Sequence, residues 1–251
     1  SPGSWSLNSI IVFTASSPIL NVNSLLIELM IQDLRYVRNF LTLNLENMKN
    51  YLISIGGNST SNVLSIERNF EEIIAVDSGV EHLFRLSLVP NTLIGDLDSI
   101  SEKSLNKIKK NDVDIMAFNS NKDKTDFELA LNHLEGVDKS IIYIIGGESG
   151  EIDHLISIFL LIPSISFFEN IIWLYGDKRI IFRQKLKLNV KKMSKFSIIP
   201  ITNLSNLSID GAEWNLENKN IQFGETTTLR NIANEDELNV SCDKGVFAFI
   251  Y

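Results

Sequence analysis

The chain has 251 residues, 44% of them apolar and 22% charged, with a formal net charge of −8 at pH 7. That length and balance give room for one large folded domain or two smaller ones, while the acidic surplus, unrelieved by a long basic run, excludes a nucleic-acid-binding surface. One cysteine (Cys242) and three histidines exclude an intrachain disulfide and leave a structural zinc site short of ligands.

A lone thiol fits a reducing compartment, so a cytoplasmic location is expected. No apolar run reaches the ~18–20 residues of a membrane-spanning helix. No basic start followed by a long apolar region marks a secretory leader, so none is expected.

Residues 1–48 are the least regular part. They are expected to form an extension of undefined role, with a short strand at residues 10–13 and an amphipathic helix over 25–43. From residue 50 the pattern becomes periodic. Residues 51–55 form an apolar strand ending in Gly56-Gly57, and residues 73–76 another, ending in Asp77-Ser78-Gly79. Leu93-Ile94 leads into Gly95-Asp96-Leu97-Asp98. A helix is predicted over 101–110 and a strand over 114–118. Asp123-Lys124-Thr125-Asp126 opens a helix in which Phe127, Ala130, Leu131 and Leu134 fall at i, i+3, i+4 and i+7, with Asp123 as its expected cap. Residues 141–145 are wholly apolar, as in a central parallel strand. Gly146-Gly147 ends that run, a helix follows over 152–161, and one more strand spans 171–175.

Strand and helix alternate to about residue 178, which predicts a mostly parallel, Rossmann-like α/β sheet domain over residues 49–180. Short alternating segments with turn residues between them then predict an all-β sandwich domain over 181–251. The basic stretch Lys185 to Lys195 reads as the solvent face of a strand pair.

Asp77, Asp96, Asp98 and Asp126 each follow an apolar run or open a helix, so one edge of the sheet can gather them. Several carboxylates in one cleft repel each other unless a cation neutralises them. If residues 95–100 are extended, Asp96 and Asp98 point to the same side, where they can share a hard ion such as Mg2+ that grips phosphate. Each aspartate also has a plainer reading as a turn former or helix cap. Gly146-Gly147 with Gly150 lets a backbone approach a ligand ahead of a helix, a pattern that suits phosphate. His154 reads as a packed helix residue, His82 and His133 as ordinary surface or helix positions. Trp214 reads as core of the β domain, with stacking on an aromatic ligand as the rarer alternative.

Taken in order, these segments resemble the thiamine pyrophosphokinase family. Residues 76–83 (Val-Asp-Ser-Gly-Val-Glu-His-Leu) are similar to the family's Ala-Asp-Gly-Gly-Ala-Asn-His/Arg-Leu, and Ile94 to Ile100 to its Ile-Gly-Asp-Phe-Asp-Ser-Ile. Residues 122–131 follow the bacterial form closely, and Gly146 to His154 follow its Gly-Gly-x-x-Gly-Arg-x-Asp-His. Ser197 to Pro200, Gly211 to Leu216 and Phe223 to Asn231 extend the likeness, which covers about residues 50–251.

The resemblance implies transfer of diphosphate from ATP to the hydroxyl of thiamine, in a homodimer with active sites between protomers. It implies metal ligation by Asp96, Asp98 and Asp126 with Asp77 beside them, and contacts to nucleotide or phosphates from Lys122, Asp123 and Thr125. It also implies a thiamine pocket of Asp153, Trp214, Thr228 and Asn231, with Trp214 stacking on the cation from the partner protomer. In-line attack of the alcohol on the β-phosphorus would release AMP.

Three departures stand out. Ser78 replaces a glycine, Glu81 an asparagine, and Glu151 an arginine; a carboxylate at that last position repels phosphate where a guanidinium would hold it, and Arg230, in place of a serine beside Asn231, would restore positive charge. A catalytically impaired thiamine- or nucleotide-binding protein of the same fold is the alternative this raises. An Asp-x-Asp nucleotide-sugar transferase is a further one, though it leaves the 122–126 motif unexplained.

Overall fold

The computed structural model of the chain describes residues 48–60, 69–117, 123–137 and 139–251. The strand and helix expected near the start, and Lys122, lie outside the described residues.

Six strands, β1 (Lys49–Ser54), β2 (Glu72–Val76), β3 (Thr92–Gly95), β4 (Asp114–Ala117), β5 (Ser140–Ile145) and β6 (Ile171–Tyr175), pair in parallel in the order β6-β5-β1-β2-β3-β4. From β1 the chain steps outward through β2, β3 and β4. It then returns to place β5 on the other side of β1, so strand order reverses between β1 and β5. Strand β5 is buried at every position, as its unbroken apolar run requires.

Four helices accompany these strands among the described residues: α1 (Val80–Arg85), α2 (Glu102–Lys110), α3 (Asp126–His133) and α4 (Ile152–Leu161). Phe127, Ala130, Leu131 and Leu134 are all buried, the face expected from their spacing. The cap of α3 is Thr125, whose hydroxyl accepts from the Glu128 amide, and not Asp123, which is exposed. Helix α1 has no counterpart in the sequence reading, because six residues are too few for a helical period to show.

Strand β7 (Lys178–Arg183) folds back antiparallel on β6. Strands β14 (Phe247–Ile250), β9 (Lys195–Pro200) and β12 (Asn231–Ile232) then extend the same sheet to ten strands. A second sheet holds β11 (Leu216–Ile221), β10 (Leu204–Asp210), β13 (Glu237–Ser241) and β8 (Lys185–Asn189), in that order. Leu186, Leu188, Leu207, Ile209, Leu238 and Val240 of the second sheet share one core with Phe196, Ile198, Phe247 and Phe249 of the first. The sandwich is present, but one of its layers is the continuation of the α/β sheet. The boundary expected at 180/181 therefore falls within β7, whose apolar Ile180, Ile181 and Phe182 are held between β6 and β14.

The basic stretch is likewise divided. Strand β8 lies in the smaller sheet and β9 in the larger, so the lysines edge two layers rather than one strand pair. Alternate residues feed opposite faces of the larger sheet. Leu52 and Tyr143 join the core that continues into the sandwich, while Ile53, Ile74, Trp173 and Phe182 pack with α3 and α4 residues on the other side.

Candidate active site at the carboxyl ends of the parallel strands

Because β1, β2, β3 and β5 run the same way, the turns that leave them open on one edge of the sheet. Those turns are Ile55-Gly56-Gly57, Asp77-Ser78-Gly79, Asp96-Leu97-Asp98 and Gly146-Gly147. Ligands of open α/β sheets collect at this edge, at the reversal of strand order.

Asp77 begins a 3-10 turn (Asp77–Gly79) with φ 47°, a left-handed conformation that aspartate tolerates better than most residues. The turn thus puts its unusual backbone at Asp77, and Ser78 is not among the positive-φ residues, so the missing glycine is accommodated. The Asp77 carboxylate lies against the backbone of Gly95: a Cβ on Gly95 would come 1.7 Å from Asp77 Oδ1. Glycine at 95 is what lets the first carboxylate sit beside the double-aspartate turn.

Asp96 and Asp98 do come together, though not as alternate residues of a strand. Strand β3 ends at Gly95, and Leu97 takes φ 69°, which folds the segment so that the Asp98 amide donates to Asp96 Oδ1 at 3.3 Å. A leucine in the left-handed region is unfavourable, and such strain concentrates at functional sites. The Asp98 carboxyl is held above its ordinary pKa, foremost by a shared hydrogen bond and like charge with Asp96, with a smaller push from the Asp126 carboxylate. Asp126 opens α3 and is half-buried. Among the described residues no three carboxylate, imidazole or thiol groups are close enough to enclose a cation by themselves. Asp96 and Asp98 are therefore a pair of hard oxygen donors with mutual repulsion to relieve. That donor chemistry fits a divalent ion whose other ligands are substrate and water.

The remaining predicted residues divide. Gly146 (φ 99°) leaves the backbone of β5 so close to Ile55 that a Cβ would stand 2.1 Å from its carbonyl oxygen; the glycine turns after β1 and β5 are in contact. Asp123 and Thr125 are exposed beside the start of α3. Asp153 sits exposed in the first turn of α4, its Oδ1 accepting from the His154 amide at 2.9 Å. His154 is exposed rather than packed.

Trp214 is 55% exposed, so the core reading fails and an aromatic face is left available. Asn231 is buried and holds that face in place, donating from Nδ2 to the Trp214 carbonyl at 2.8 Å and accepting from its amide at 3.2 Å. Thr228, also buried, gives its hydroxyl to the Ile198 carbonyl at 2.7 Å. The polar atoms of both residues are engaged with backbone.

Sequence reasoning missed two residues near this edge. Glu81 accepts from the Ser101 hydroxyl at 2.7 Å, tying α1 to the cap of α2. Burial pushes the Glu81 carboxyl up, but hydrogen bonds from Ser101 and Ser104 outweigh it and hold the group below its ordinary range. His82, read as a surface position, is buried. Its Nδ1 pairs with the Arg85 guanidinium; since arginine has no acceptor, that nitrogen is unprotonated and the ring carries its hydrogen on Nε2. No periodic signal marks a histidine in so short a helix as buried. A separate cleft of about 510 Å3, lined by Lys139, Phe168, Glu169 and Gln184 among others, opens at the opposite edge, where β5 and β6 begin.

Fold and site together define an enzyme with an α/β half bearing a carboxylate rim and a β-sandwich half bearing an exposed tryptophan. Comparison with known proteins agrees with that division. A family described as "Thiamin pyrophosphokinase, catalytic domain" matches residues 64–173, and one described as "Thiamin pyrophosphokinase, vitamin B1 binding domain" matches residues 183–247. The chain belongs to the thiamin pyrophosphokinase family.

It is 27% identical over 182 residues to a thiamine pyrophosphokinase of Bacillus subtilis (strain 168), covering 70% of this chain and 85% of that one. The crystal structure of thiamine pyrophosphokinase from Bacillus subtilis superposes with a TM-score of 0.72 at 24% identity, over 80% of this chain and 98% of the other. Thiamin pyrophosphokinase from Candida albicans has the same fold at 15% identity, with a TM-score of 0.64 over 84% and 94% of the two chains. No helix among the described residues is long and apolar enough to cross a membrane.

Proposed function

We propose that the protein transfers diphosphate from ATP to the hydroxyl of thiamine, releasing AMP, with Mg2+ as the required ion. The observation that carries this reading is the gathering of Asp77, Asp96, Asp98 and Asp126 at the carboxyl edge of the parallel strands, beside glycine turns at the reversal of strand order. Asp96 and Asp98 would hold the ion, with Asp126 near, and the ion would supply neutralisation of the phosphate charge. The aspartates accept and orient. The glycine turns at 56–57 and 146–147 give the polyphosphate close approach to backbone amides. Trp214, exposed and pinned by Asn231, supplies an aromatic face for the thiazolium cation. Phosphoryl-type transition states are loose, so positioning and charge neutralisation outweigh a strong base.

A homodimer with sites shared between protomers completes the reading. Ile152, Ile156 and Leu160, exposed at 72%, 52% and 56%, fall on one side of α4 at i, i+4 and i+8, an apolar stripe that suits a second copy of the same chain. Lys122, Asp123 and Thr125 would lie along the nucleotide, and Asp153 at the thiamine end. The compartment is the cytoplasm, in keeping with the single buried thiol.

The test is incubation of the protein with ATP, thiamine and magnesium, followed by separation of AMP from ADP and detection of thiamine diphosphate. AMP and thiamine diphosphate in equal amounts, abolished by a chelator and restored by magnesium, support the reading. ADP as product, or thiamine bound in calorimetry with no AMP released, defeats it; the second outcome is the one Glu151 at the start of α4 would produce if its charge excludes the nucleotide.

A further inference from the structure

The turns after β1 and β5 are tied by more than contact. The Gly147 amide donates to the Gly56 carbonyl at 2.8 Å, the Glu148 amide to Asn58 at 3.0 Å, and the Asn58 amide to Ser149 at 3.1 Å. One side chain locks this zipper. The Glu148 carboxylate receives the Thr60 amide at 2.8 Å on each oxygen, and the Thr60 hydroxyl donates to its Oε2. Strand β6 braces the arrangement from behind, the Tyr175 hydroxyl donating to the Glu148 carbonyl at 2.9 Å. On the other side an Arg85 guanidinium nitrogen approaches the Ser59 carbonyl at 3.4 Å while pairing with His82.

A carboxylate this close to a phosphate-binding edge would ordinarily oppose the ligand. Here the Thr60 amide and hydroxyl hold both of its oxygens, which turns the carboxylate toward residue 60. The zipper also leaves the amides of Gly57, Ser149 and Gly150 without a hydrogen-bond partner among the described residues. Two short loops that must be ordered on binding cost affinity; loops already fixed do not.

We propose that Glu148 is a positioning residue for nucleotide: its clasp on Thr60 locks the turn after β1 to the turn after β5, preforming a single polyphosphate cradle at the strand-order reversal. This rests on the ATP reading given above, and deepens it by naming what holds the cradle in shape.

Calorimetry of ATP with magnesium, and of thiamine, on the full chain and on Glu148→Ala, Thr60→Val and Thr60→Ser, beside a melting curve for each, tests it. Glu148→Ala is expected to weaken ATP binding on the order of tenfold, because the two freed turns must then be ordered on binding. Thr60→Val should weaken it a few-fold, since the amide donor stays, and Thr60→Ser should bind like the parent. Thiamine affinity should stay put, and the melting temperature should fall by no more than a few degrees, the cost of the lost intrachain bonds. A Glu148→Ala protein that binds ATP as the parent does overturns the clasp alone. So does one that loses ATP affinity, thiamine affinity and melting temperature together, because that is general damage. A parent chain that binds no ATP overturns the reading of the site, and the clasp with it.

Discussion

The parallel and antiparallel halves of the ten-stranded sheet meet at the β6–β7 pair and use their ends differently. In the parallel half every strand exits on one edge, so neighbouring turns place Asp96, Asp77, Gly56 and Gly146 along one rim. In the antiparallel half exits alternate between edges, and the polar side chains of Thr228 and Asn231 are turned inward to hold backbone. Parallel pairing concentrates chemistry on an edge. Antiparallel pairing here presents an aromatic face, Trp214, on a rigid support.

Trp173 and Trp214 give the largest test of that contrast. Trp173 in β6 is fully buried, with Nε1 donating to the Gly146 carbonyl at 3.1 Å, so Trp173→Ala should cost ~3–5 kcal/mol in denaturant unfolding. Trp214→Ala should change stability by less than ~0.5 kcal/mol while raising the KM for thiamine. A large loss of stability in the second variant would mean that Trp214 is a structural residue.

Carboxylates come next. Asp98→Ala should lower turnover on the order of a hundredfold with an unchanged melting temperature, since the side chain is exposed. Asp177→Ala, at the exposed β6–β7 turn beside Lys178, should leave turnover as it is. Equal rates for Asp98→Ala and the parent at saturating magnesium would remove the carboxylate pair from the chemistry.

Gly95→Ala should cost ~1–3 kcal/mol and also reduce turnover, because the added methyl displaces the Asp77 carboxylate. A stable, fully active Gly95→Ala would show that Asp77 need not sit where it does.

The smallest effect concerns His82. Burial pushes its pKa down, aided by the Arg85 charge and opposed by the Gly57 carbonyl, Glu148 and Glu81. The folded pKa therefore lies below the unfolded value of 6.5, and protons bind the unfolded chain more readily in that window. Its stabilising contribution is complete above about pH 6.5 and is lost as pH falls from there toward the folded value. Unfolding measured across that window should show a slope that His82→Phe flattens.

Much of this was legible in the primary structure for stated reasons. The β5 run and the α3 face were legible because burial on two sides, or on one stripe, writes itself directly into apolar spacing. The carboxylate rim was legible because each aspartate follows an apolar run or opens a helix. The pairing of Asp96 with Asp98 was expected from an extended segment, whereas the chain achieves it through a left-handed Leu97, a backbone state that no residue type at that position announces. Trp214, His82 and His154 went the wrong way on burial, since a lone aromatic or imidazole carries no periodicity. Thr60 and Glu148 are 88 residues apart, and nothing local connects them.

Composition, apolar spacing and motif order by themselves determined that this chain makes a parallel α/β sheet with acids at one edge, followed by β structure, because those properties depend on residues near one another in sequence. Tertiary structure alone decided that the sandwich shares the α/β sheet, that a buried asparagine presents the exposed Trp214, and that Glu148 joins two glycine turns. Such contacts follow from packing distant segments, which depends on shape and hydrogen-bond geometry in three dimensions.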